Sequence, residues 1–156
     1  MKPEYKKLLL KDLCERLSYG VKFHYFPDAD SKGVETIGTA TCWDGDFQCV
    51  ETRQEGFNVE NIKLYLRPMS SMTEEEAKDM FGVMFDGELI KSEIETDRVR
   101  YVWLQNDRQC IHTVFFFNKV YGIEQLDWLN AHHFDYRGLI DKGLAIEAPE
   151  GMYKTE

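Results

Sequence analysis

Residues 36–52 read Thr-Ile-Gly-Thr-Ala-Thr-Cys-Trp-Asp-Gly-Asp-Phe-Gln-Cys-Val-Glu-Thr. Two β-rich runs, 36–43 and 47–52, flank Asp44-Gly45, a dipeptide that suits the positive φ values of a tight hairpin turn. The pattern predicts a hairpin. A period of two already holds upstream, where Val21, Phe23 and Tyr25 alternate with Lys22 and His24, and a polar loop opens at Pro27-Asp28 and runs to Gly33. Downstream, Ile62, Leu64 and Leu66 alternate with Lys63, Tyr65 and Arg67, and Pro68 ends the run because it cannot donate to a ladder. Four short strands joined by turns predict an antiparallel meander or a small barrel.

Helices flank these strands. Over 4–17, Tyr5, Leu9, Leu10, Leu13, Cys14 and Leu17 recur at spacings of three and four, with Lys6, Lys7, Lys11 and Glu15 between them. Pro3 suits a first turn and Gly20 a stop. Thr73 and Glu76 have capping-box spacing, Glu74 to Glu76 complement a helix dipole, and Ala77, Met80, Phe81 and Met84 form an apolar stripe. Gly82 interrupts that stripe, so residues 83–90 either continue the helix or form a hairpin around Asp86-Gly87. Strands are expected at 98–104 and 111–118 across a 105–109 turn, a helix at 123–133 and a further helical turn at 137–142. Leu144, Ile146 and Ala148 alternate as a last short strand. The expected fold class is α+β: an N-terminal helix packed on an antiparallel meander or small barrel, with further helices toward the C-terminus. No repeat or linker divides the chain, so residues 1–156 are expected to form a single α+β domain.

At 156 residues and 43% hydrophobic composition, the chain is long enough to bury roughly 70% of its unfolded surface. Its net charge is −9, and residues 59–97 hold 4 basic against 10 acidic side chains. That balance argues against direct nucleic-acid binding driven by charge and against docking on an anionic membrane. Lys6 and Lys7 precede Leu8, Leu9 and Leu10, but Lys11 and Asp12 end the run far short of a signal-peptide core. A cytoplasmic protein of the cell that makes it is the expectation, with no membrane partner.

Cys14, Cys42, Cys49 and Cys110 include no CxxC pair. One register of the 36–52 hairpin sets Cys42 opposite Cys49; both read as reduced structural thiols. His132, His133 and Asp135 form the one close cluster of ligand-type side chains, but adjacent helical residues point about 100° apart, which is wrong for a shared ion. Cys110 and His112 share one strand face, the spacing of a Cys/His dyad and equally of an ordinary half-buried pair. No glycine-rich phosphate loop and no GxSxG occur. No metal, cofactor or catalytic set is therefore expected. On helix 123–133, Leu126, Leu129 and His133 share one face, whereas Trp128 and His132 share the other. Trp128 is then either buried beneath Leu139, Ile140, Leu144 and Ile146 or an exposed anchor for a partner. The candidate partner-contact residues are Trp128, His132, Asp135, Tyr136 and Arg137.

Three blocks carry a resemblance. Leu-Asp-Trp-Leu-Asn-Ala-His-His-Phe-Asp-Tyr-Arg-Gly-Leu-Ile-Asp-Lys-Gly-Leu-Ala-Ile-Glu-Ala-Pro-Glu-Gly-Met-Tyr spans 126–153, Leu-Tyr-Leu-Arg-Pro-Met-Ser-Ser-Met-Thr-Glu-Glu-Glu begins at Leu64, and Leu-Leu-Lys-Asp-Leu-Cys-Glu-Arg-Leu-Ser-Tyr-Gly-Val begins at Leu9. Together they resemble small uncharacterised proteins of prophages and mobile elements of gut bacteria. The resemblance implies a setting, and no catalytic motif or cofactor comes with it. The expected function is a non-enzymatic accessory protein of a phage or mobile element acting through protein–protein binding. The alternatives are an acidic nucleic-acid-mimicking inhibitor of a host protein, or a small hydrolase using His132, His133 and Asp135.

Overall fold

The computed structural model describes residues 1–26, 36–43, 46–49, 58–95, 98–115 and 122–153. The polar loop from Pro27 to Gly33, the Asp44-Gly45 turn itself and residues 50–52 and 116–118 of the expected strands lie outside them. In chain order the elements are α1 (Pro3–Arg16), β1 (Lys22–Tyr25), β2 (Thr36–Trp43), β3 (Asp46–Cys49) and β4 (Ile62–Leu66). Then come α2 (Glu74–Met84), β5 (Glu88–Ile94), β6 (Arg98–Gln105), β7 (Arg108–Phe115), α3 (Ile123–Ala131) and β8 (Ala145–Glu147). The fold is α+β, with an N-terminal helix, antiparallel sheets and a helix toward the C-terminus. The chain forms two compact units, residues 1–66 with 139–156, and residues 67–138.

The first unit has a five-stranded sheet of order β3-β2-β1-β4-β8. β2 and β3 pair antiparallel, as the residues around Asp44-Gly45 predict, but Cys42 faces Phe47 and Cys49 faces Ala40, so the two cysteines are not opposed. β4 does not continue the meander from β3. It pairs with β1 on the side away from β2, and β8 joins β4 in parallel. The alternation of Val21, Phe23, Ile62 and Leu64 explains this. It supplies one apolar face, which closes with Leu9, Leu13, Ala40, Leu66, Leu139, Leu144 and Ala145 into one core. The stripe that α1 buries is Leu9, Asp12, Leu13 and Arg16, whereas Leu10 and Cys14 are exposed. Asp12 and Arg16 take a core position that apolar periodicity assigns to neighbours, because each neutralises the other.

The second unit holds the meander β5-β6-β7, with α2 and α3. The capping box forms in full, Thr73 Oγ1 accepting from the Glu76 N–H and Glu76 accepting from the Thr73 N–H. α2 runs through Gly82 to Met84, then β5 starts at Glu88, so no hairpin forms around Asp86-Gly87. Gly87 has φ +140°, and a Cβ there would lie 2.5 Å from the Leu104 carbonyl oxygen and 2.8 Å from the Trp103 ring. Only glycine fits where the chain passes from helix to edge strand. The β6–β7 turn tightens to Asn106 and Asp107, with φ of +51° and +60°, matching the right-handed twist of the strands. The core gathers Met69, Met72, Ala77, Met80, Phe81, Val99, Tyr101, Trp103, Val114, Trp128, Leu129, Phe134 and Tyr136.

α3 ends at Ala131, two residues earlier than its apolar pattern suggests. His133 takes φ +59°, its N–H donates to the Asn130 carbonyl and the Phe134 N–H to the Leu129 carbonyl. This is a Schellman stop with histidine where glycine is usual. Residues 139–143 form turns rather than a helix, with Gly138 and Gly143 at φ +65° and +68°.

Candidate functional site

The candidate contact residues fall on the end of α3 and the 132–137 turn, and the structure organises them into a stacked column. Arg67 starts it. Its N–H donates to the His133 carbonyl, and its carbonyl accepts from the Asp135 N–H, so residue 67 forms an isolated parallel bridge with Phe134. The bridge sets the Arg67 guanidinium 4.3 Å from the centroid of the Phe134 ring. Trp128 lies 5.8 Å beyond Phe134 at an interplanar angle of 12°, and His132 stacks on Trp128 at 3.9 Å and 21°. The order is therefore guanidinium, phenyl, indole, imidazole. Stacking a cation and three rings favours this arrangement through both dispersion and the ring quadrupoles.

Each end and edge is tied by polar contacts. Arg67 donates to both Glu76 oxygens, at 2.6 and 2.9 Å, the planar fork that guanidinium offers a carboxylate. Burial pushes Glu76 up, but the Arg67 bonds and the Thr73 cap outweigh it and hold the carboxyl below the usual glutamate range. Trp128 Nε1 donates to Asp79 at 2.6 Å. His132 Nδ1 donates to the Trp128 carbonyl at 2.8 Å, which fixes its tautomer. Tyr136 donates to Asn130 at 3.0 Å, and Arg137 lies 4.7 Å over the Tyr136 ring.

Trp128, Asp135 and Tyr136 are buried, and His132 and Arg137 are half-buried. Trp128 is buried and so is not an exposed anchor, and the C-terminal segment expected to cover it supplies core residues to the first unit. Leu139 and Leu144 belong to the core of the first unit and Ile140 packs against it, while Trp128 is enclosed with Phe134 and Asp79 of its own unit. The reason is β8, whose parallel pairing with β4 draws residues 139–147 onto the first sheet. As for nucleophilic or metal chemistry, the His132 ring is committed to its stack, and His133 and Asp135 are buried. Among the described residues no three His, Cys, Asp or Glu side chains gather as a metal-ligand set. Cys110 and His112 do share the inner face of β7. Cys110 Sγ lies 3.8 Å from the Arg108 carbonyl, and the exposed His112 ring meets Phe85 edge-on at 5.1 Å. The column is a brace, holding the α3 end against the entry to α2.

Sequence reasoning missed Arg67, Glu76 and Asp79 as parts of this arrangement, and Phe134 as its centre. The i, i+4 spacing of Trp128 and His132 was the legible signal for one layer of it. A second polar cluster lies in the first unit. The Tyr153 hydroxyl accepts from the Lys22 N–H at 2.9 Å and donates to the Tyr65 carbonyl at 2.8 Å, forming a side-chain rung between β1 and β4. Burial pushes its phenol up to about 12, against the lowering effect of the Lys22 N–H and of nearby Arg16. The Tyr65 hydroxyl meets His24 Nδ1 at 3.1 Å.

No family model matches the chain, and no curated protein or solved structure does either. No helix among the described residues is long and apolar enough to cross a membrane.

Proposed function

We propose that the protein works by binding another protein, as a non-enzymatic accessory factor of a phage or mobile element. The observation that carries this reading is the outward face of the β5-β6-β7 meander. There Ile111 is 64% exposed and pairs across the strands with half-buried Val102, beside Lys91. The neighbouring row holds Glu93 and Arg100, 3.7 Å apart, and Glu95 pairs with Arg98 at 3.1 Å. An apolar centre rimmed by charges of both signs has the composition of a protein interface. The mobile-element setting rests on the sequence resemblance. The glutamates that would support nucleic-acid mimicry begin α2, where the helix dipole and, for Glu76, the capping box and Arg67 account for them.

Affinity capture from a gut-bacterial host, comparing wild type with Ile111→Arg, tests the reading. The expected result is a stoichiometric partner that the variant loses while melting at the wild-type temperature. A capture profile unchanged by the substitution overturns it.

A further inference from the structure

The opposite charge logic holds on the outer face of the first unit's sheet, which the protein-binding reading does not use. β1 and β4 alternate there, so Lys22, His24 and Phe26 share the face with Lys63 and Tyr65, and Ile37 stands opposite His24. Phe26 is 38% exposed and Ile37 52%. The Phe26 ring is not a loose apolar side chain. His24 backs it at 4.4 Å, the Tyr65 hydroxyl holds His24 through Nδ1, and Lys63 Nζ sits 5.7 Å from the Phe26 centroid. The outward residues of β1 and β4 include two lysines and no carboxylate, in a chain of net charge −9, and Asp46 of β3 stands at a register position on the same sheet face two strands from β1.

An exposed, braced aromatic ring selects a flat partner group, and a local cationic pair in an acidic protein selects an anion. A nucleoside phosphate supplies both. We propose that this face binds one, with its base stacked on Phe26 against Ile37 and its phosphate at Lys63. Lys22 lies on the same strand face two residues before His24, about 7 Å along the strand, close to the spacing of successive phosphates in a single strand. The source is either a free nucleotide or a nucleotide within a single strand. The overall charge disfavours duplex DNA, which needs an extended basic surface, and a single-strand source would run against the expectation of no direct nucleic-acid partner drawn from whole-chain charge.

Full-length protein titrated with 2-aminopurine riboside 5′-monophosphate, whose emission falls on stacking, and with a fluorescein-labelled thymidine octamer tests this. Saturable quenching that weakens as salt rises is expected. Phe26→Ala should reduce affinity about tenfold or more, the usual loss for one base–aromatic stack. Lys63→Gln should weaken it several-fold and flatten the salt dependence. Equal affinity for monomer and octamer assigns the site to free nucleotides, and octamer binding tighter by about tenfold or more assigns it to single strands. The proposal fails if neither probe saturates at millimolar nucleotide, or if Lys63→Gln, melting as wild type, binds with unchanged affinity and salt dependence. Lys63 is half-buried, so its variant keeps the test decisive even where Phe26→Ala perturbs folding.

Discussion

Arg16 and Asp12 are both fully buried, one helical turn apart on α1, and bonded at 2.8 and 3.3 Å. Desolvating two charges costs several kcal/mol each, and the attraction offsets this only while both are present. Asp12→Ala or Arg16→Ala should therefore destabilise the first unit by about 3–5 kcal/mol, read by urea denaturation, whereas the double variant D12L with R16M should recover part of that loss. A double variant as unstable as the two single losses combined would show that the two residues act independently and that their mutual bond contributes nothing to stability. Glu76 presents a pH-dependent case. Its carboxyl is held below the usual value of the unfolded chain, so its bonds to Arg67 and Thr73 stabilise the folded state above that value and are lost as acid titrates the folded group. Glu76→Gln should cost about 1–3 kcal/mol at neutral pH. The gap between variant and wild type should close below about pH 4, and a constant gap from neutral to acid would show that the charge contributes nothing.

Elements here are joined by small groups in special positions. Tyr153 serves as a rung next to the last paired residues of β1 and β4, Phe23 and Leu64, and so ties the 149–153 turn to the sheet. Tyr153→Phe leaves the Lys22 N–H and the Tyr65 carbonyl without this partner. The expected loss is about 1–3 kcal/mol, with faster hydrogen exchange at the Lys22 amide specifically. Because burial raises the folded phenol to about 12, wild type should also lose stability as pH climbs from about 10, the unfolded value, and Tyr153→Phe should lack that share of the alkaline slope. Unchanged exchange at Lys22 would remove the rung. The helix–strand passages have the same character. Gly87 was legible as a turn residue, but whether it bent a hairpin or released a helix depended on β6, whose Leu104 carbonyl and Trp103 ring leave room for no Cβ. α3 ends two residues before its apolar pattern does because a histidine occupies the left-handed stop position, where sequence offers no glycine to mark it.

Across the whole molecule, the C-terminal segment completes the first unit. Leu139, Leu144 and Ala145 are buried in the core begun by Leu9 and Leu13, and β8 pairs with β4. Burying the two leucines alone is worth on the order of 3–6 kcal/mol before entropy, a large part of an ordinary domain's net stability. Truncation after Gly138 should therefore give a product that is insoluble or lacks a cooperative transition, judged by scattering and calorimetry. A soluble product melting as the full chain does would show the segment to be dispensable. Local pattern determined much about this protein: the alternation of Val21 to Tyr25 and Ile62 to Leu66, the antiparallel pairing of β2 with β3, the Thr73–Glu76 cap and the α+β class. These follow from interactions within a few residues, which a linear chain displays directly. Only the tertiary structure decided that β4 lies beside β1, that the C-terminal strand completes the first sheet, and that Asp12 and Arg16 are core residues. It also decided that Arg67, Phe134, Trp128 and His132 form one column. Each of those depends on pairing between distant segments, and the burial of a charge or the stacking of a ring becomes favourable only when its partner arrives from elsewhere in the chain.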